Sequence, residues 1–250
     1  MIINLFCDAS IDLNRKIACS GCYITSHSYD MGVPSNFMDI GRRLMIQTNA
    51  TNNSSEILAI WLGVREAIRL RRIYPGAVFR LFSDSKISLY GLRDWMKNWV
   101  KNIDSNGVLI SSSGAPVMNQ QKFIEIYNMI IENNLKIELY HNRGHVGGGG
   151  KVTLKDARIQ FIKANKVPPE GLGLTIEYIS KYNSLVDNAT REAVHAYDSY
   201  LETGFPSDVE VEGIYPMEFI VRASQCHQYI RCIDKTSVRS RHDFKGGYNQ

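Results

Sequence analysis

A chain of 250 residues with 44% apolar and 22% charged residues carries enough apolar material for a sizeable core, which excludes disordered, fibrous and low-complexity classes. Its formal net charge of +4 is too small to establish a nucleic-acid partner by itself. The opening MIINLFCDAS has no basic start, and the apolar run from Ile57 to Val64 is too short to cross a bilayer, so a cytoplasmic protein outside any membrane is expected.

Three β-rich runs come first, Ile2 to Cys7, Lys16 to Thr25 and Phe37 to Ile46, spaced as an antiparallel meander. From Glu56 to Arg72, apolar Ile57, Leu58, Ile60, Trp61, Val64 and Ile68 alternate with Arg65, Glu66, Arg69 and Arg72 at helical period, and Pro75-Gly76 ends the run. Asn53 followed by Glu56 reads as a capping box at its start. Ala77 to Ser83 is a fourth strand that stops at Asp84, and Ile87 to Val100 returns to helical spacing. A Ser- and Gly-rich loop, Asn102 to Pro116, precedes a helix from Gln121 to Glu132 and a fifth strand from Leu135 to His141. After the breaker GHVGGGG, a helix is expected at Leu154 to Asn165 and a closing one near Ser184 to Leu201. The order implies an α/β fold, a five-stranded mixed sheet with flanking helices.

Cys7, Cys19, Cys22, Cys226 and Cys232 are an odd set that reads as reduced thiols. Cys19 and Cys22 lie three apart on a strand, hence on opposite faces, where their sulfurs do not converge on one metal.

Acids recur at the ends of elements: Asp8, Glu56, Asp84 and Asp187. Each has a local reading, with Asp8 and Asp84 as turn formers, Glu56 in the capping box and Asp187 answering a cap at Ser184. Taken together, Asp8 and Asp84 at the ends of adjacent strands bring two carboxylates side by side, which is costly without a cation. A divalent ion removes that cost. Mg²⁺ prefers hard oxygen ligands and is commonly shared between carboxylates and phosphates, and a pair of ions about 4 Å apart activates water and stabilises a departing oxygen.

The motifs LFCDAS, TNNSSE, LFSDSKISLYGLRDWMKNW, RGHVGG and YNSLVDNATREA resemble ribonuclease H of the type 1 class, in that family's order. The resemblance implies a ribonuclease H-like domain over 1–201 with an insert at 146–183, followed by an extension at 202–250. It implies hydrolysis of the RNA strand of RNA/DNA hybrids with two Mg²⁺ ions, Mn²⁺ being a substitute. It makes Asp8, Glu56, Asp84 and Asp187 the metal ligands and His145 an aid to proton transfer or product departure. His141 has no match and reads as a strand-end residue. Thr51, Asn52, Asn53, Ser85, Lys86, Trp95 and Lys97 fall at positions that contact nucleic acid, with Trp99 expected in the core.

Departures from the family bear on substrate contacts. The turn after Asp8 lacks glycine, Lys86 replaces a polar amide, and the stretch between His145 and Asp187 is longer than the family's. Its helix, with Lys155, Arg158 and Lys163, either extends a nucleic-acid surface or repositions the histidine loop. The basic tail carrying Arg222, Arg231, Lys235, Arg239, Arg241 and Lys245 is an arm for phosphates or a solvated end. A nuclease for another nucleic acid and an inactive binding module stay open as alternatives.

Overall fold

The computed structural model describes residues 1–146 and 152–212; Cys226, Cys232 and the basic tail lie outside the described residues. The described residues form two compact units, one of 1–96, 122–146 and 152–212 and a smaller one of 97–121.

In chain order the elements are β1 (Ile2–Asp12), β2 (Ile17–Asp30), β3 (Val33–Thr48), α1 (Asn52–Ile73), β4 (Val78–Ser83), α2 (Lys86–Tyr90), a π-helical turn (Gly91–Trp95), α3 (Met96–Trp99) and α4 (Gln120–Glu132). They continue with β5 (Ile137–His141), α5 (Leu154–Asn165), a 3-10 turn (Pro169–Leu172), α6 (Ile176–His195), α7 (Tyr197–Thr203) and β6 (Val209–Val211). Among the described residues the sheet is mixed and has six strands rather than five, in the order β5-β4-β1-β2-β3-β6. β1, β2 and β3 are antiparallel, whereas β4 and β5 run parallel to β1, and β6 runs parallel to β3.

The sixth strand lies beyond residue 201. At three residues it is too short to show alternation in the sequence, and charge holds it in place: Asp208 pairs with Arg42, Glu210 with Arg65 and Glu212 with Lys122. Val209 between them enters the core. The early strands also exceed their sequence limits. Met31 and Gly32, at φ 45° and 83°, close a two-residue hairpin between Asp30 and Val33, so β3 begins upstream of Phe37.

Helix α1 lies on one face of β1, β2 and β4, and α6 on the other face of β1, β2 and β3. Alternation along β1 sends Cys7 toward Gly63 of α1 and Phe6 toward Tyr182 of α6. Cys22 points to the α1 side, while Cys19 packs with Ala189 and Ala193 of α6, on opposite faces as the sequence requires. On the α6 face an aromatic column runs Tyr182, Phe6, Phe82, Tyr140 and Phe161, with adjacent ring centroids 5.3, 4.9, 5.4 and 6.2 Å apart. Burying each phenylalanine contributes about 1.5–3 kcal/mol, and the column welds α5 and α6 to the sheet.

Helix α6 starts at Ile176 with Thr175 as N-cap, eight residues before the sequence reading placed it. Ile176, Ile179, Tyr182, Val186, Ala189 and Ala193 keep one buried stripe, so Asp187 sits midway along the helix rather than in its first turn. In the smaller unit, the Asp104 carboxylate accepts from the N–H groups of Asn106 and Val108, and antiparallel bridges join Ile103 to Leu109 and Ile110 to Pro116.

Candidate metal centre

Thr51, not Asn53, caps α1. The Thr51 hydroxyl accepts from the Ser54 N–H, and the Ser54 hydroxyl accepts from the Thr51 N–H, closing a capping box two residues earlier than the Asn53–Glu56 pair. A serine at the third helical position takes the role usually given to Glu or Gln. Glu56 is thereby relieved of capping and its carboxylate turns into the protein.

There it meets Asp8 and Asp84. One oxygen from each of the three acids lies within 4.8 Å of the others. Asp84 comes directly after β4, as expected, whereas Asp8 stands within β1, which continues to Asp12. Its neighbour across the ladder is Gly21, where a side chain would collide with Thr190 and Val186, so the missing Cβ lets α6 approach beside Asp8.

Burial and mutual repulsion act together on the three groups. Desolvation, followed by the charges of Asp84 and Glu56, holds the Asp8 carboxyl well above its usual range. Desolvation and the charges of Asp84 and Asp187 push Glu56 up to about 8. Asp84 is raised as well, chiefly by burial, with His145 and Arg143 opposing. Glu56 Oε2 is buried without a hydrogen-bond partner. Three crowded hard oxygens and an orphaned lone pair fit a divalent cation, which would offset the repulsion and supply the missing partner.

Neighbouring groups hold the acids in place. Asp8 Oδ1 accepts from the Ala9 N–H at 2.8 Å, and Oδ2 from Asn183 Nδ2 at 3.4 Å. Asn183 Oδ1 in turn accepts from Asn142 Nδ2 at 2.7 Å. His141 Nε2 lies 3.2 Å from the Asp84 carbonyl oxygen, which can only accept, so that nitrogen carries the proton. Burial, with Lys86, Arg93 and Arg143 nearby, holds His141 down at about 4, so the ring is neutral at pH 7.

Asp187 is not within the three-acid group. Its carboxylate pairs with Arg191 one turn along α6, and His145 Nδ1 lies 3.9 Å away. His145 is 75% exposed and holds a left-handed backbone at φ 52°. Thr51, Asn52 and Asn53 are exposed at the end of α1 that carries Glu56. Ser85 is the N-cap residue of α2, its hydroxyl donating to Ser88, and Lys86 is exposed. Trp95 is 40% exposed and meets Tyr90 edge-on, whereas Trp99 is 8% exposed, in the core as the sequence reading expects of that ring. Lys97 belongs to the 97–121 unit.

The sequence reading passes over Gly144, Asn142, Asn183 and Arg191. The last two carry a legible signal, since residues 183, 187 and 191 are spaced four apart on one helix face. Gly144 and Asn142 carry none, because their contacts are long-range.

The RNase H family model matches residues 2–154. Ribonuclease HI of Rickettsia prowazekii (strain Madrid E) is 23% identical over 154 residues, covering 61% of this chain and 91% of that protein. Ribonuclease H of Thermosynechococcus vestitus is 27% identical over 125 residues, covering 48% of this chain and 71% of its own. Among solved structures, an RNase H1 isolated from compost aligns at 14% identity with a TM-score of 0.40, covering 78% of this chain and 96% of that one.

Proposed function

The chain belongs to the ribonuclease H family, and from that premise we propose that Asp8, Glu56, Asp84 and Asp187 hold two Mg²⁺ ions with which it hydrolyses the RNA strand of RNA/DNA hybrids. The observation that carries this reading is the meeting of Asp8, Glu56 and Asp84 within 4.8 Å, with an unpartnered buried oxygen on Glu56. When bound, the ions lower the pKa of a water and neutralise charge on the departing oxygen. The family is divalent-metal dependent; the choice of Mg²⁺ rests on the all-oxygen donor set.

The chain's own residues do the rest. Asn183 and the Ala9 N–H orient Asp8, leaving its other lone pairs for a cation. Asp187, which here pairs with Arg191, would be the fourth carboxylate to hold the ions. His145, exposed beside Asp187, assists proton transfer at the reacting phosphate or departure of product. Thr51, Asn52 and Asn53 face the backbone of the hybrid, where the 2′-hydroxyl separates RNA from DNA. Ser85, Lys86, Trp95 and Lys97 bind the nucleic acid through its phosphates and bases. The ribonuclease H-like domain takes in the insert at 146–183, and a cytoplasmic setting goes with the buried free thiols of Cys7, Cys19 and Cys22. Among the described residues no helix is long and apolar enough to cross a membrane.

The test is cleavage of labelled RNA/DNA hybrid, duplex RNA, duplex DNA and single strands with Mg²⁺ or Mn²⁺. Cutting confined to the RNA of the hybrid supports the reading, and equal cutting of duplex RNA or DNA overturns the substrate assignment.

A further inference from the structure

Helix α5 ends at Asn165, a side chain with no exposed surface that is surrounded by backbone rather than by other side-chain amides. Its Oδ1 accepts from the His141 N–H at 2.9 Å, and its Nδ2 donates to the His141 carbonyl at 2.6 Å. Oδ1 also accepts from Arg93 Nη1 at 3.2 Å. Among the described residues β5 is the last strand of the sheet, and at its other edge the Asn142 N–H bonds to the Ser83 carbonyl of β4. In a parallel ladder the N–H and C=O of one residue point to the same side, so those of His141 face away from β4 toward an edge where no further strand lies among the described residues. The Asn165 amide fills that edge as a single residue of a seventh strand would. It satisfies two backbone groups whose orphaning in the interior is costly.

The residues fixed in this way lead directly to the acids. The His141 ring donates to the Asp84 carbonyl. Asn142 reaches Asp8 through Asn183. Gly144 packs on the Asp84 carboxylate, and His145 stands beside Asp187. Four of the five residues from 141 to 145 therefore touch an acid or an acid's partner. Their anchor lies in the stretch between His145 and Asp187.

We propose that Asn165 is a positioning residue: through its two hydrogen bonds to the His141 backbone, the inserted helix sets residues 141–145 against the acidic cluster. The proposal rests on the metal-dependent reading of that cluster. It assigns the insert a job inside the catalytic machinery rather than on a nucleic-acid surface, since the residue at its centre has no access to substrate.

The experiment compares Asn165→Ala with Phe161→Leu, a core change in the same helix, at a temperature where circular dichroism shows both folded. Displacing a catalytic loop by about 1 Å costs up to about a hundredfold in rate. Asn165→Ala is therefore expected to lower kcat on the hybrid by at least about tenfold, with KM within about twofold of wild type. Mn²⁺ binding, followed by calorimetry without nucleic acid, is expected to weaken about tenfold, as for other groups that orient metal ligands. Phe161→Leu should lower the unfolding temperature comparably and leave both quantities within about twofold. Should the alanine variant not fold, Asn165→Asp, which keeps the acceptor and loses the donor, is measured in its place. Unchanged kcat and Mn²⁺ affinity in the Asn165 variant, or equal losses in Phe161→Leu, would overturn the proposal. Failure of the wild-type protein to cut the hybrid would sink the substrate reading instead, and the Mn²⁺ comparison then decides the role of Asn165.

Discussion

Gly144 lies so close to the Asp84 carboxylate that a methyl group at position 144 would overlap Oδ2. The glycine in the RGHVGG stretch is thus a space requirement of the acid. Gly144→Ala forces either the loop or Asp84 to shift, at a cost of about 1–3 kcal/mol in urea unfolding. A displacement of that kind should lower kcat on the hybrid by about a hundredfold. Wild-type kinetics in this variant would show that Asp84 has room to move.

Removing one of the crowded charges should separate stability from activity. Asp84→Asn is expected to abolish cleavage of the hybrid while raising the urea midpoint of the metal-free protein, because Asp8 and Glu56 lose a repulsive neighbour. Added Mg²⁺ should then stabilise wild type more than the variant. A lower metal-free midpoint for Asp84→Asn would contradict the electrostatic account.

The pH dependence of the metal-free protein follows from Glu56, whose carboxyl rises from 4.5 to about 8 on folding. Between those values the native state keeps a proton that the unfolded chain has released, so stability is highest below pH 4.5 with respect to this group and is lost as pH climbs toward 8. Urea midpoints measured from pH 5 to 8 without metal should fall, and saturating Mg²⁺ should flatten the decline because the cation replaces the proton. A metal-free midpoint that rises across this range would refute the assignment.

The capping arrangement makes a contrast between neighbours. Thr51→Ala removes the hydroxyl that caps α1 and should cost about 1 kcal/mol. Asn53→Ala, one residue past the first helical position and exposed, should be within about 0.5 kcal/mol of wild type while weakening hybrid binding. Thermal melts and binding titrations of the two variants check both, and equal destabilisation would return the cap to Asn53.

Local pattern made much of this legible. The insert helix runs from Leu154 to Asn165 as read from its period, and Asp84 stands where the end of the fourth strand puts it, whereas α1 begins at Asn52 and leaves Glu56 inside the helix rather than at its start. What failed were choices between equivalent local signals. Thr51 with Ser54 and Asn53 with Glu56 are both serviceable capping boxes, and the fold uses the first, which leaves the Glu56 carboxylate beside Asp8 and Asp84. Ser184 looked like a helix start because the apolar stripe upstream, at Ile176 and Ile179, lay in a stretch foreign to the resemblance. Asn165 was unreadable for a different reason, since two of its hydrogen bonds go to the main chain of His141, which leaves no mark on that residue's identity, and its side-chain partner Arg93 is far away in sequence.

The docking of β6 bears on where this enzyme can be shortened. A chain cut at the end of α7, near the length at which the family resemblance stops, would strip the outer rung from β3, leaving the Leu44 N–H and the Ile46 carbonyl without the bonds they make to Asp208 and Glu212. Leu44 and Ile46 would be uncovered along with them. Such a raw edge is a template for strand-to-strand association between molecules, so a minimal version designed by homology alone is expected to clump in storage, whereas one ending beyond Glu212 stays dispersed.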